Sequence, residues 1–212
     1  GKMGSGKDVL APLVMAKLKY AHNAKHMYYA DALKNEINIL IDAVRNNESI
    51  QKIMQRTNTT LSQTEHLVSL LDNISETTHS RERTPEMRAI LQYWGTEVRR
   101  KANEDYWVNI TRTEVVNTLD KGQSVFITDA RFPNEIVSMS SIGAYTVRLD
   151  ITEEIQRQRL MERDGLLPSH EATSHSSENM LDSYSDFSLR FANHSTIANA
   201  VDLIAAGYKT YR

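Results

Sequence analysis

A chain of 212 residues holds one domain, with or without a small insertion, and 25 Lys plus Arg against 27 Asp plus Glu give a formal charge of −2. That near-balance argues against a partner that is a nucleic-acid polymer, which calls for a basic excess, yet a few local cations suffice for a small anionic substrate. Cysteine is absent, which excludes a disulfide framework, a thiolate zinc site and a Cys nucleophile. No apolar run reaches the ~18 residues of a membrane span and no signal-peptide pattern is visible, so a cytoplasmic protein with no membrane partner is expected. Asn-x-Ser/Thr triplets at Asn47, Asn58, Asn73, Asn109 and Asn193 are then chance occurrences.

The chain opens in a glycine-rich loop. Residues 1–8 read GKMGSGKD, and Gly1, Gly6 and Lys7 fit the G-x-x-x-x-G-K frame of a phosphate-binding loop. Glycines let successive N–H groups turn toward an anion, the following helix points its positive end at the phosphates, and Lys7 neutralises the terminal ones. Val9, Leu13, Ala16 and Leu18 supply the amphipathic helix that this context requires. Asp8 stands where the usual Ser or Thr would touch Mg²⁺, and the strand that should feed the loop is expected upstream of residue 1.

The first half reads as mostly helical. Leu33, Ile37, Leu40, Ile41 and Val44 form one apolar stripe, and Met87, Ile90, Leu91, Trp94 and Val98 form another, with Thr84 as N-cap and Pro85 after it. Between them, residues 45–84 are polar apart from Leu67 to Leu71 and read as a peripheral helical insertion with mobile connections. Arg88, Gln92, Gly95 and Arg99, spaced i, i+4, i+7 and i+11, predict a second stripe. It could receive a phosphate at one end and a base edge at the other, or be a solvated face. A glycine inside a helix costs ~1 kcal/mol against alanine, so Gly95 is expected to serve a close approach. Met27 to Tyr29 reads as core or as a homodimer interface.

The second half alternates strands and helices. A strand is predicted at Ser124 to Thr128, a helix from Pro133 closed by Gly143, a strand at Ala144 to Leu149, and a helix start at Asp150 to Glu153. A last strand is predicted at Phe187 to Phe191 and a helix from Ser195 to Ala206 with Gly207 as its C-terminal cap. Strands separated by helices imply α/β architecture with a parallel sheet covered on both faces. Asp129-Ala-Arg131 follows the 124–128 strand at its C-terminal end, where ligands bind in open parallel sheets. Asp129 could hold Mg²⁺ through water or orient a substrate hydroxyl. Arg131 could bind a transferring phosphoryl group, and Glu135 could hold Arg131 in place. Arg157, Arg159 and Arg163 precede a polar loop, Asp164 to Glu178, that could act as a lid. His170, His175 and His194 with Glu171 and Glu178 match no zinc spacing.

These pieces together resemble the phage-type deoxynucleoside monophosphate kinases, P-loop enzymes of the nucleotide-kinase fold. The resemblance rests on GKMGSGKD at 1–8, YADALK at 29–34, LQYWGTEVRR at 91–100, DYW at 105–107, TDARFPNE at 128–135 and HSSE at 175–178. It implies a three-layer fold with a parallel sheet flanked by helices and its first strand missing from this chain. One P-loop kinase domain over 1–212 would carry a monophosphate-binding, helical insertion region at about 25–105 and a lid at about 152–180.

The implied reaction is phosphoryl transfer from ATP, with Mg²⁺, to a deoxynucleoside monophosphate. By position, Gly4, Ser5, Gly6, Lys7 and Asp8 look like the ATP-phosphate loop, with Asp8 toward the metal. Lys34, Arg88, Gln92, Gly95, Thr96 and Trp107 resemble the monophosphate side. Lys7, Asp129, Arg131 and Glu135 resemble the catalytic group, and Arg131, His175, Ser177 and Glu178 would close over the substrate. Val9 departs from the family, which commonly has Thr there. If the chain is phage-encoded, its place is the host cytoplasm. Two other readings stand beside this one: a P-loop kinase of another small phosphorylated metabolite, and a non-catalytic nucleotide-binding regulator.

Overall fold

The computed structural model describes residues 2–20, 23–75, 77–82, 84–165, 179–193 and 196–211. The chain divides into two units, one formed by Gly1–Met27 with Glu114–Arg212 and the other by Tyr28–Thr113.

In the first unit, α1 (Lys7–Lys17) places Leu10 and Val14 one turn apart, so both fall on one face and are buried. That face packs on the C-terminal helix, here α9 (Ile197–Tyr211), through Ala200, Val201 and Ile204, with Leu149 in the same cluster. The strands are short and parallel. β1 (Ala24–Met27) pairs with β2 (Ser124–Ile127), Ala24 opposite Ser124. β3 (Val147–Asp150) pairs with β4 (Leu189–Ala192), Val147 opposite Leu189. Phe126 of β2 and Phe191 of β4 pack against the same cluster as Leu149. Helix α7 (Pro133–Ser140) follows β2, and α8 (Glu153–Asp164) follows β3 with Thr152 as its N-cap. The architecture is mixed α/β with short parallel strands, and among the described residues these form two pairs.

The second unit is helical. α2 (Tyr29–Arg45), α3 (Ile50–Thr57), α4 (Leu61–Leu71) and α5 (Pro85–Gln92) surround one core of Ile37, Leu40, Ile53, Leu67, Met87 and Trp94. The stretch read as peripheral is therefore central to this unit: Ile53 is 1% exposed and Leu67 is 0%. Thr84 accepts from the Met87 N–H, the expected cap, and Thr60 with Gln63 forms a reciprocal capping box at α4. After Gln92 the helix widens into a π-helix, Tyr93–Arg100. Helix α6 (Tyr106–Leu119) then runs in sequence from this unit into the first. Met27 and Tyr29 are buried, at 4% and 5%.

Several sequence expectations shift, among them the start of β3, at Val147 rather than Ala144. β1 was not anticipated, because Ala-Lys-His-Met has no β-branched run and Met27 alone is fully buried. β4 begins two residues later than expected, at Leu189. Gly207 does not cap a helix; α9 continues through it, and a side chain there would collide with the Tyr145 hydroxyl.

Candidate functional site

The glycine-rich loop sits at the opening of α1. Gly4 and Gly6 both have positive φ, +73° and +87°, a region that L side chains rarely adopt. Gly6 is the N-cap of α1, so the first N–H groups of the helix lie beyond the reach of intrahelical acceptors. The Ser5 N–H closes a turn on the Lys2 carbonyl at 3.2 Å, and the Lys7 ammonium lies 3.5 Å from that same carbonyl. Ser5 is fully buried, and its hydroxyl has no hydrogen-bond partner among the described residues. A buried polar atom of this kind is costly unless something satisfies it. Asp8 is exposed in the first turn of α1, near its positive end.

Side chains remote in sequence hold the loop from behind. Gln156 Nε2 donates to the Met3 carbonyl at 2.9 Å, Arg159 Nη1 to Gly4 at 3.3 Å, and Asn193 Nδ2 to Ser5 at 2.7 Å. Arg159, read from sequence as a lid cation, thus lies against the Gly4 carbonyl of the loop. Lys2 pairs with Asp182 at 2.7 Å, and Asp182 also receives Arg148 at 2.8 Å. Burial alone would raise the Asp150 carboxyl, but hydrogen bonds and charge from Arg190 and Arg148 override it and hold it below the usual carboxylate range.

Beyond the C-terminal end of β2, Thr128 Oγ1 meets His26 Nε2 at 3.0 Å. Asp129 and Arg131 follow, both half-buried. Glu135 is 2% exposed, and its Oε2 accepts from the backbone N–H groups of Arg131 at 2.7 Å and Phe132 at 3.1 Å. Its carboxylate holds the backbone of the turn ahead of α7, so it acts on the position of Arg131 through the main chain.

In the helical unit the expected stripe does not continue. Arg88 and Gln92 are exposed on α5, but the i→i+5 pattern of the π-helix changes the phase, and Gly95 and Arg99 turn into the core. Arg99 is 9% exposed: it hydrogen-bonds Glu36, donates to the Thr57 carbonyl at 2.6 Å, and stacks over Trp94 and Tyr106. Burial raises the Tyr106 hydroxyl, aided by the Glu36 charge and opposed by Arg99, so it stays protonated and donates to Glu36 at 3.3 Å.

Gly95 does serve a close approach. A Cβ there would stand 2.8 Å from Leu33 Cδ2, and its carbonyl accepts from the buried Trp107 indole at 3.0 Å. Lys34 and Thr96 are half-buried in the same unit. His175, Ser177 and Glu178 lie outside the described residues, as do His170, Glu171 and His194; so does the Arg163 side chain.

Residues 32–184, well over half of the chain, match the family "Deoxynucleotide monophosphate kinase". The chain belongs to that kinase family. The match contains the 88–107 and 129–135 segments and begins after the glycine-rich loop. Among curated proteins, "Uncharacterized protein ORF77" of Ictalurid herpesvirus 1 (strain Auburn) is 31% identical over 122 residues, covering 57% of this chain and 47% of that protein. The chain thus spans about half the length of this viral relative. Among the described residues no helix is long and apolar enough to cross a membrane.

Sequence reasoning missed Gln156 and Asn193. Asn193 directly follows β4, so the strand-end rule applied to Asp129 would have found it.

Proposed function

We propose that this kinase transfers the γ-phosphoryl group of ATP to a deoxynucleoside monophosphate, giving ADP and a deoxynucleoside diphosphate. The observation that carries the reading is the loop at the opening of α1, with two left-handed glycines, a buried Ser5 hydroxyl that has no partner among the described residues, and Lys7, in a chain of this family. Gly4, Ser5, Gly6 and Lys7 would bind the ATP phosphates through N–H groups, a hydroxyl and one ammonium.

The exposed carboxylate of Asp8 beside that loop suits a Mg²⁺ that arrives with its nucleotide, because Mg²⁺ keeps several waters and takes one or two carboxylates plus phosphates. When bound, the ion neutralises charge on the phosphate oxygens. In the transfer, an acceptor phosphate oxygen forms a bond to the γ-phosphorus. The bond from that phosphorus to the bridging oxygen breaks, and ADP leaves with the electron pair. A phosphate nucleophile needs no strong base, so the protein's task is alignment and charge neutralisation. Arg131 would meet the charge that develops on the transferring group, Asp129 would orient groups beside it, and Glu135 would position Arg131.

On the acceptor side, Lys34, Arg88, Gln92 and Thr96 would offer the polar groups, with Gly95 and Trp107, whose indole donates to the Gly95 carbonyl, beside them. His175, Ser177 and Glu178 would close over the substrate. A three-layer P-loop fold, with the acceptor region at about 25–105 and a lid at about 152–180, is part of the same reading; Phe126, Leu149 and Phe191 sharing one core supports it.

A coupled ADP-release assay tests the proposal, offering ATP with dAMP, dCMP, dGMP, dTMP and each ribonucleotide. Release with at least one deoxynucleotide is the expected outcome. No release with any acceptor overturns it.

A further inference from the structure

We infer that Gln156, Arg159 and Asn193 are positioning residues for ATP, a clamp that fixes the phosphate loop from the face opposite its ligand. The inference rests on the phosphate-loop reading and deepens it. Three consecutive carbonyls, those of Met3, Gly4 and Ser5, each receive one of these side chains. A trans peptide is planar, so a carbonyl and the N–H that follows it point opposite ways. Holding the three oxygens toward α8 and Asn193 therefore directs the N–H groups of Gly4, Ser5 and Gly6 away from them. The Ser5 N–H turns back to Lys2; those of Gly4 and Gly6 are left facing the side where phosphate would bind.

The clamp is itself anchored. The Asn193 N–H donates to the Asp150 carbonyl at 2.7 Å, which extends the β3–β4 ladder, and Arg159 Nη2 reaches the Asn193 carbonyl at 3.4 Å. Asn193 is 5% exposed, and a Cβ at Gly6 would stand 3.2 Å from its amide nitrogen, so the loop lies directly against it. This close fit also removes Asn193 from use as a glycosylation acceptor, since its amide is committed to Ser5.

Asn193→Asp keeps the shape of the side chain but replaces the donor with an oxygen facing the Ser5 carbonyl. In the full chain, this variant is expected to weaken ATP binding by calorimetry about tenfold, to raise KM for ATP, and to leave KM for the monophosphate unchanged. Arg159→Lys, which retains one donor, is expected to lose less than Arg159→Ala. Hydrogen exchange at residues 3–8, measured without nucleotide, is expected to quicken in Asn193→Asp. Unchanged exchange and ATP affinity would overturn the clamp, as would an equal rise in both KM values with a lowered Tm, the mark of a merely structural role. A wild-type chain that binds no ATP would overturn the phosphate-loop reading instead, and the exchange measurement tells the two failures apart.

Discussion

Both units are built around a short run of unusual backbone held by side chains from distant parts of the sequence, and they use it in opposite ways. At the glycine-rich loop, Gln156, Arg159 and Asn193 reach the loop's carbonyls, while its serine hydroxyl stays without a partner among the described residues. At the π-helix, Arg99 is enclosed by Glu36, Thr57 and two aromatic rings. A loop supported from one side keeps polar capacity for something that arrives later. A helix whose cation is matched all round has become part of the core. Two basic residues that look alike in sequence, Lys7 and Arg99, thereby belong to different kinds of structure.

The sharpest way to break this contrast is Arg99→Leu, which removes the cation beside Glu36 and leaves it the Tyr106 hydroxyl. A loss of about 3–5 kcal/mol is expected from denaturant unfolding, partly recovered when Glu36 is replaced by Leu as well. If Arg99 instead served the acceptor, stability would hold while KM for the monophosphate rose. Next comes the loop. Lys7→Ala, and separately Arg131→Ala, should lower turnover at least ~100-fold with the fold intact by circular dichroism; retained ADP release removes that residue from the mechanism.

Gly95→Ala should cost about 1–3 kcal/mol by forcing Leu33 aside, with a raised KM for the monophosphate as the neighbouring Thr96 shifts. Thermal denaturation with kinetics checks both, and an unchanged Tm would show that α2 yields freely. The smallest effect is expected at Asp150. Its carboxyl is depressed in the fold, so the unfolded chain binds more protons on the acid side and the stabilisation is lost as pH falls through the folded value. Asp150→Asn should therefore lower Tm by roughly 2–4 °C at neutral pH and flatten its fall toward acid. A variant curve parallel to the wild type at every pH would contradict the Arg148–Asp150–Arg190 assignment.

Much of the site was legible in the sequence because its chemistry is local. GKMGSGKD concentrates glycines, a lysine and a helix start within eight residues, and TDARFPNE places a strand end, an arginine and a helix cap in one run. Pro85 and Thr84 fixed the start of α5 for the same reason. What stayed hidden depends on partners far along the chain. Gln156 and Asn193 are polar residues in unremarkable surroundings until the fold brings them to the loop. The stripe through Arg88 and Arg99 was drawn on a 3.6-residue period that stops at Gln92, and no local residue pattern announces a π-helix. β1 escaped because a strand with three residues short of full burial carries little of the alternation that identifies strands.

That widened turn has a further consequence for how the segment tolerates length changes. Adding one residue between Tyr93 and Val98, where the turn is already widened, would swing everything after it by about 100° about the axis. Arg99 would leave Glu36 and Trp107 would leave the Gly95 carbonyl, although every side chain they need was still encoded. In this stretch the count of residues, and not just their identities, is the quantity under constraint.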